Sequence, residues 1–424
     1  MYIKMKKSRR KKEEDNHKVR IYIRCILEDS KDTITSEFKS PIGAHAQLEP
    51  NGALAYVEAD KATIMMSTQV VKITRDEVAE RLGLDSDQVN IVPTFLGGGF
   101  GRRLHTPNGI QAAVLSEAVG KPVQCFFSRK EEFQNDTFRP PTHHVLKAKL
   151  NSEGLIEALE HNVSSGDVAF GSPMLPSIAE PLLGADLGAW RGGMIQYCAI
   201  PNYRTVSWRQ KLPFATSWWR SLGLLANTFA IESFMDELAI KAGKDPVQFR
   251  LDQIQADKAG FRLKEVIKAA AEKAGWKDGV NNGRAMGFAA STDANTPCAH
   301  VAEVSIEGKE IIVHKVICAL DPGIAVNPDQ VRAQCEGCII MGMSGAMYEK
   351  MIVKDGSLQP TIYGPYQMAM MRHAPKEIEV VLLENDDKPG AVGEPPMGPI
   401  GAAVANAVFR LTGQRLTDLP LSLG

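Results

Sequence analysis

Hydrophobic and polar positions along this chain fall into two kinds of run, short strand-like stretches and longer repeats of helical period. Residues 53–58 and 89–95 have strand composition. Between them, residues 74–82 (TRDEVAERL) space Val78, Leu82 and neighbouring apolar positions along one helical face. Residues 110–119 predict a helix that ends at Gly120, with Pro122 beyond. Residues 123–127, 145–150 and 155–163 then predict strands, the last two joined by a turn at 151–154. A long helical repeat runs from about 227 to 242 and is closed by Gly243. Asp245 and Pro246 supply a cap and a first-turn proline for the next helix, which carries Phe249, Leu251 and Ile254. Residues 263–274 also read as helix. Afterwards the pattern predicts strands at 301–306, 311–319, 348–353 and 378–383, and helices at 329–341 and 401–412. The class is α+β or mixed α/β, with no internal repeat. Folded character is expected from about Phe38 to Pro41 onward. That divides the chain into a basic lead over 1–38, a first segment over 39–258 and a second over 259–424.

Composition narrows the picture. With 424 residues and 44% hydrophobic content the chain can bury a large core. Its 49 basic and 50 acidic side chains give a net charge of −1, so no global field gathers nucleic acid or anionic membrane. No stretch approaches the roughly 18–20 apolar residues of a membrane-spanning helix. The start, MYIKMKKSRRKK followed by EEDNHK, lacks the apolar run of an export signal and reads as a solvated, disordered lead. Seven scattered cysteines suit reduced thiols better than a disulfide framework. Cys335 and Cys338 have C-x-x-C spacing, but no second pair or nearby histidine pair completes a metal set, so packing on a helix is the favoured reading.

Three clusters stand apart. Leu96-Gly97-Gly98-Gly99-Phe100-Gly101-Arg102-Arg103 follows a strand, and its glycines let backbone N–H groups approach a ligand closely. It fits neither the dinucleotide fingerprint nor a P-loop, so an anionic cofactor site and a tight turn with two surface arginines are both open. Trp218-Trp219-Arg220-Ser221-Leu222-Gly223 leads into a helix and could hold an anion or carbonyl oxygen, or could be plain aromatic packing. In the third, Gly393-Glu394-Pro395-Pro396 sits among glycine, proline and apolar residues with no adjacent basic partner. Desolvation there would raise the Glu394 pKa toward that of a general base; a loop glutamate capping the next helix is the plainer reading.

GGGFGRR, WRSLG and VGEPP together resemble the molybdopterin-binding large subunit of the xanthine dehydrogenase/aldehyde oxidoreductase family, and within it the isoquinoline 1-oxidoreductase beta-subunit type. HAQLEPNGALAYV at 45–57, STQ at 67–69, NTFAIESFMDELA at 227–239, DPVQFR at 245–250, CALDPGIAVNPDQVRAQCEG at 318–337 and the segment 401–421 fit in the same order. The resemblance covers roughly residues 40–421. It implies the C-terminal portion of such a large subunit. It also implies molybdenum held through a pterin dithiolene, commonly as the cytosine dinucleotide form, with no side-chain ligand to the metal. The implied reaction hydroxylates an aldehyde or N-heteroaromatic compound with oxygen from water. On the matching motifs Glu394 would be the base that deprotonates the attacking oxygen. Gly98, Gly99, Phe100, Gly101, Arg102 and Gly393 would lie at the cofactor. Gln69 would hydrogen-bond a molybdenum oxo ligand, Gln334 would contact the pterin or its phosphate, and Arg220 would orient substrate or cofactor.

Some positions depart from the pattern. Leu104 stands where xanthine-specific members place a purine-binding carboxylate, so a purine substrate is not expected. Ala226, followed by Asn227, stands where close relatives have glutamine, and Cys338 replaces a glycine. The family's large subunit also has a substantial region before the histidine-glutamate-proline segment, where this chain has only the lead. That implies a second polypeptide supplying it, or a truncated, inactive remnant. The implied electron route is a small partner subunit with [2Fe–2S] clusters. The default compartment is the cytoplasm, the alternative the periplasm. An unrelated glycine-rich enzyme or a binding module remains the reading from another class.

Overall fold

The computed structural model describes residues 23, 26–27 and 31–424, apart from 176–184, 194–195, 198 and 256. The basic stretch 1–22, Cys25 and Cys198 lie outside the described residues. Strand β1 (Ile34–Ser40) begins before Phe38, inside the stretch read as lead, and Ile23 and Leu27 pack as buried residues on Ala158. Only Ile34 and Phe38 mark β1 as apolar; its place comes from pairing with a distant strand, which the local pattern does not carry.

Two larger sheets and one small layer build the molecule. A small sheet of order β4-β3-β2-β5 comprises β2 (Gly52–Val57), β3 (Ala62–Met66), β4 (Val89–Pro93) and β5 (Val123–Phe126). Burial alternates along β2 and β3, placing Ala53, Ala55, Ile64 and Met66 inward against Val78, Ala112 and Ala113 of the helices Val71–Leu82 and Pro107–Val119. The other face shows Leu54, Tyr56 and Met65 to solvent, the pattern of a sheet covered on one side. Both helices stop at a left-handed glycine, Gly83 and Gly120.

The second sheet runs β1-β6-β7-β8, with β6 (Thr142–Leu150), β7 (Ile156–Ser165) and β8 (Asn202–Arg209); β7 and β8 are parallel, the other pairs antiparallel. The third runs β15-β12-β11-β10-β9: β9 (Val280–Asn281), β10 (Arg284–Asp293), β11 (Thr296–Glu307), β12 (Glu310–Leu320) and β15 (Glu377–Leu382), with β12 and β15 parallel. A separate hairpin pairs β13 (Ile352–Lys354) with β14 (Ser357–Gln359). Mixed sheets with interleaved helices make this a mixed α and β fold.

Between the two larger sheets runs the helix Leu224–Lys241, with 15 of its 18 residues buried. Its charged residues are buried in company: Glu232 holds Arg250 at 2.8 Å and accepts from the Tyr197 hydroxyl at 2.6 Å, while Asp236 is paired with Arg410 and Arg415. The helix Gly398–Thr412 packs on β10 and β11 at Gly287, where a Cβ would lie 2.0 Å from the Ala403 carbonyl oxygen. Phe288, on the opposite pleat, meets Trp276 edge-on beyond the helix Lys258–Ala274. The strand is thus covered on both faces, as its near-continuous burial requires. Residue 259, where the second segment was placed, lies in the first turn of Lys258–Ala274, and one apolar core takes residues from both segments.

Two sequence expectations need correction. Residues 348–353 do not form one strand: Tyr348 closes the helix Pro328–Met347, and only Ile352–Lys354 is extended. That helix also runs six residues past the predicted end at 341. Its glycines break nothing because they are contact points, Gly342 against Ile400 and Gly345 against Trp219 and Arg139.

Candidate active site

The three clusters meet around one cavity of about 510 Å3, lined by Gln69, Phe100, Gly101, Leu104, Met174, Trp218, Trp219, Arg220, Gln334 and Glu394. Arg220 is the junction. Its backbone N–H donates to the Phe100 carbonyl at 2.8 Å, its Nε to the Gly393 carbonyl at 2.7 Å, and a terminal nitrogen to Gln334 Oε1 at 2.7 Å. Phe100, Gln334 and Gly393 are therefore all tied to one residue, the latter two through a guanidinium whose planar fork suits two acceptors at once.

The glycine loop leaves β4 and turns sharply. Gly98 and Gly101 have φ of 101° and 104°, and Phe100 itself is left-handed at 53°. A Cβ on Gly101 would stand 1.7 Å from the Trp218 carbonyl oxygen, so the two loops touch backbone to backbone. The Gly101 N–H donates to Gln69 Oε1 at 3.1 Å. Gly98, Gly99 and Gly393 support the cavity through the chain path and do not line it.

Arg102 is not brought to the cavity. It and Arg103 are buried, which overturns the picture of two surface arginines. Arg102 Nε lies 3.1 Å from Asp136 and 3.4 Å from Glu132. Arg103 holds the Gly98 carbonyl at 2.9 Å and Glu49 at 2.7 Å, tying the glycine loop from behind. Asp136 also holds His45 at 2.9 Å, and the other His45 ring nitrogen meets the Trp218 carbonyl at 2.7 Å. Burial would raise the Asp136 pKa, but His45 and Arg102 outweigh it and hold the carboxyl at about 2.

The WRSLG turn carries Ser221 and Leu222 at φ 82° and 54°, uncommon for residues with a Cβ. This turn aims the Ser221 N–H at Glu394 Oε1, 3.0 Å away. The Glu394 carboxylate does have a basic partner: Arg191 lies 2.6 Å from Oε2 and grips Asp293 with two further bonds of 2.6 Å. The expectation of an unpartnered carboxylate is thus corrected. Its partner lies 203 positions upstream, beyond the reach of any local pattern. Burial works against the Arg191 charge, yet Asp293 and Glu394 prevail and its pKa is raised. Asn227 faces away from the cavity and donates to the Ala189 and Arg191 carbonyls at 3.0 and 2.9 Å, fixing the Arg191 backbone. Cys338 donates to the Gly393 carbonyl at 3.2 Å. Leu104 forms part of the apolar wall. Arg191 was missed in the sequence, where it stands in no motif, and His45, the first residue of the stretch 45–57, was not singled out there.

Comparison with known proteins defines the class. Models of the molybdopterin cofactor-binding domain match residues 23–254 and 221–375, and the chain belongs to this family of molybdenum-binding large subunits, that of xanthine dehydrogenase. It is 32% identical over 392 residues to isoquinoline 1-oxidoreductase subunit beta of Brevundimonas diminuta, which covers 91% of this chain and 49% of that protein. It is 29% identical over 404 residues to a membrane-bound aldehyde dehydrogenase of Gluconacetobacter polyoxogenes, covering 89% of this chain and 52% of that one. The chain thus spans about half the length of these curated relatives. In fold it resembles quinoline 2-oxidoreductase of Pseudomonas putida 86, with a TM-score of 0.78 and 15% identity over 93% of this chain and 76% of that one. Among the described residues, no helix is long and apolar enough to cross a membrane.

Proposed function

We propose that this chain carries the reacting centre of a molybdenum-dependent oxidoreductase that hydroxylates an aldehyde or an N-heteroaromatic ring with oxygen from water. The observation that carries this reading is the Arg220 junction, which gathers Gln69, Phe100, Gly101, Gln334 and Glu394 around one cavity. The residues fit the cofactor. Among the described residues, those that line the cavity offer amide, carboxylate, guanidinium and indole groups. The buried indole N–H of Trp218 has no protein partner and supplies a donor to a bound group.

Molybdenum carried by a pterin dithiolene, read here as the cytosine dinucleotide form, supplies the two-electron oxidation when bound. The chain's own residues do the rest. Gln69 uses Oε1 to hold the Gly101 N–H, which leaves its amide NH2 as a donor toward the cofactor. Phe100 and Gly101 lie against it, and Gln334, fixed by Arg220, contacts the pterin side. Glu394 is held by Ser221 and Arg191 and accepts the proton released from water at a remaining carboxylate lone pair. Leu104, Met174 and Trp218 give the substrate apolar walls, and Leu104 in place of a carboxylate favours an aldehyde or a less polar ring over a purine. Electrons pass to a small partner subunit with [2Fe–2S] clusters. The remaining half of the relatives' length, on whichever polypeptide carries it, completes the substrate channel.

The test is Glu394→Gln in the complex purified from the native host. Turnover should fall by about 100-fold or more, the usual worth of a general base, with molybdenum and pterin per chain unchanged. Undiminished turnover would remove Glu394 from that role. A folded preparation with no molybdenum would make the chain a non-catalytic member of its family.

A further inference from the structure

Away from the cavity, β11 and β12 bring together side chains that share no motif. Cys298 and His300 are two residues apart on β11 and so face the same way; Cys318 on β12 is paired opposite His300, on that same face. The imidazole Nε2 of His300 lies 3.5 Å from Cys298 Sγ, and the sulfurs of Cys298 and Cys318 are 3.8 Å apart. The three donor atoms all lie within 4.8 Å of one another. Across this face runs the helix Pro328–Met347, whose buried Cys335 lies beside Cys318, just outside that set of three. All four residues are wholly buried.

The spacing is informative. In a tetrahedral zinc site with bonds of about 2.3 Å to sulfur and 2.0–2.1 Å to nitrogen, paired sulfurs stand about 3.8 Å apart and sulfur and nitrogen about 3.6 Å apart. The observed separations of 3.8 and 3.5 Å match both. A buried imidazole also needs partners, yet its Nδ1 has none and its Nε2 faces only a thiol, a weak partner. Cys335 and Cys338 form a C-x-x-C pair that the sequence reads as packing on a helix. In the fold Cys338 belongs to the candidate active site through Gly393, and the companions of Cys335 come from the sheet.

We propose that Cys298, His300, Cys318 and Cys335 form a structural site for a soft tetrahedral ion of the zinc class, fastening the Pro328–Met347 helix to β11 and β12. Binding forms three metal–sulfur bonds and one metal–nitrogen bond and releases the thiol protons to solvent, with no change of oxidation state. Because the site is sealed, the ion enters as the chain folds. Gln334 neighbours Cys335 on the helix, so the site also steadies one wall of the cavity.

The experiment is expression of the full chain in zinc-depleted medium supplied with cobalt(II), followed by metal analysis and absorption spectroscopy. The folded chain should carry about one cobalt with thiolate-to-metal charge-transfer absorption, and Cys298→Ala/Cys318→Ala should retain about a tenth of it or less. If that double variant does not fold, Cys335→Ala decides, and it should lose about a third of the charge-transfer intensity, one thiolate of three. A folded wild-type chain holding neither cobalt nor zinc overturns the proposal. So does an unchanged cobalt spectrum in the folded double variant or in Cys335→Ala.

Discussion

Arg191 bridges two carboxylates, holding Asp293 through two nitrogens and Glu394 through the third, each at 2.6 Å. Asp293 is almost fully buried, so the arginine both neutralises a carboxylate in the interior and anchors one at the cavity. Arg191→Met should therefore lower the unfolding free energy by about 2–4 kcal/mol, since it strands a buried charge. Arg191→Met/Asp293→Asn should recover part of that loss, as read by urea unfolding. Equal stability of the single variant and wild type would mean that water solvates Asp293.

Gly101 offers a sharper contrast. Gly101→Ala puts a methyl 1.7 Å from the Trp218 carbonyl oxygen at a φ of 104°, and should cost about 2–5 kcal/mol by displacing one loop from the other. Gly120→Ala, also at positive φ but with open space around it, should cost about 1 kcal/mol. Urea midpoints of the two variants, compared at one pH, give the difference directly.

Arg220→Lys keeps the charge and loses the fork. A lysine cannot hold the Gly393 carbonyl and Gln334 in the same geometry. Molybdenum and pterin per chain should fall about tenfold or more, for a loss of about 1.4 kcal/mol or more in cofactor binding, with circular dichroism unchanged. Full cofactor retention would limit Arg220 to organising loops.

Acid should unfold this protein early. His144 and His161 stack in the interior with ring nitrogens 3.0 Å apart. Burial drives the pKa of His161 down to about 4, and burial together with the His161 ring drives that of His144 well down too. Both are neutral in the fold, whereas unfolded histidines take up protons below about pH 6.5. Their contribution to stability is therefore complete above pH 6.5 and is lost as pH falls from there to about 4. Each histidine adds a slope of about 1.4 kcal/mol per pH unit within the window. Urea unfolding of His161→Gln should show a shallower fall between pH 6.5 and 5 than wild type.

Much of the fold could be read from the sequence where the signal is local. Gly120 ends its helix as expected, and Asp245 caps the helix Pro246–Asp252 with bonds to two backbone N–H groups. Three motifs marked the cavity before any fold was in view. Strand β10 escaped because its small residues are buried on both faces and show no alternation. Strand β8 escaped because its half-buried positions do not alternate either. Arg102 looked like a ligand because glycines surround it, yet Glu132 and Asp136 draw it inward. Arg191 has no local sign at all, since its meaning lies in two acids about 100 and 200 residues further on.

Trp219 is covered by Cys338 and Met397, and Arg220 finds its acceptors on residues 334 and 393. A chain leaving the ribosome in order thus leaves Trp219 without its cover, and Arg220 without its protein acceptors, until residues 334–397 have emerged. The cavity cannot close until the segment carrying Gly393 and Glu394 has been made, and chaperone binding or premature aggregation would act before then on the segment around Trp218 and Trp219.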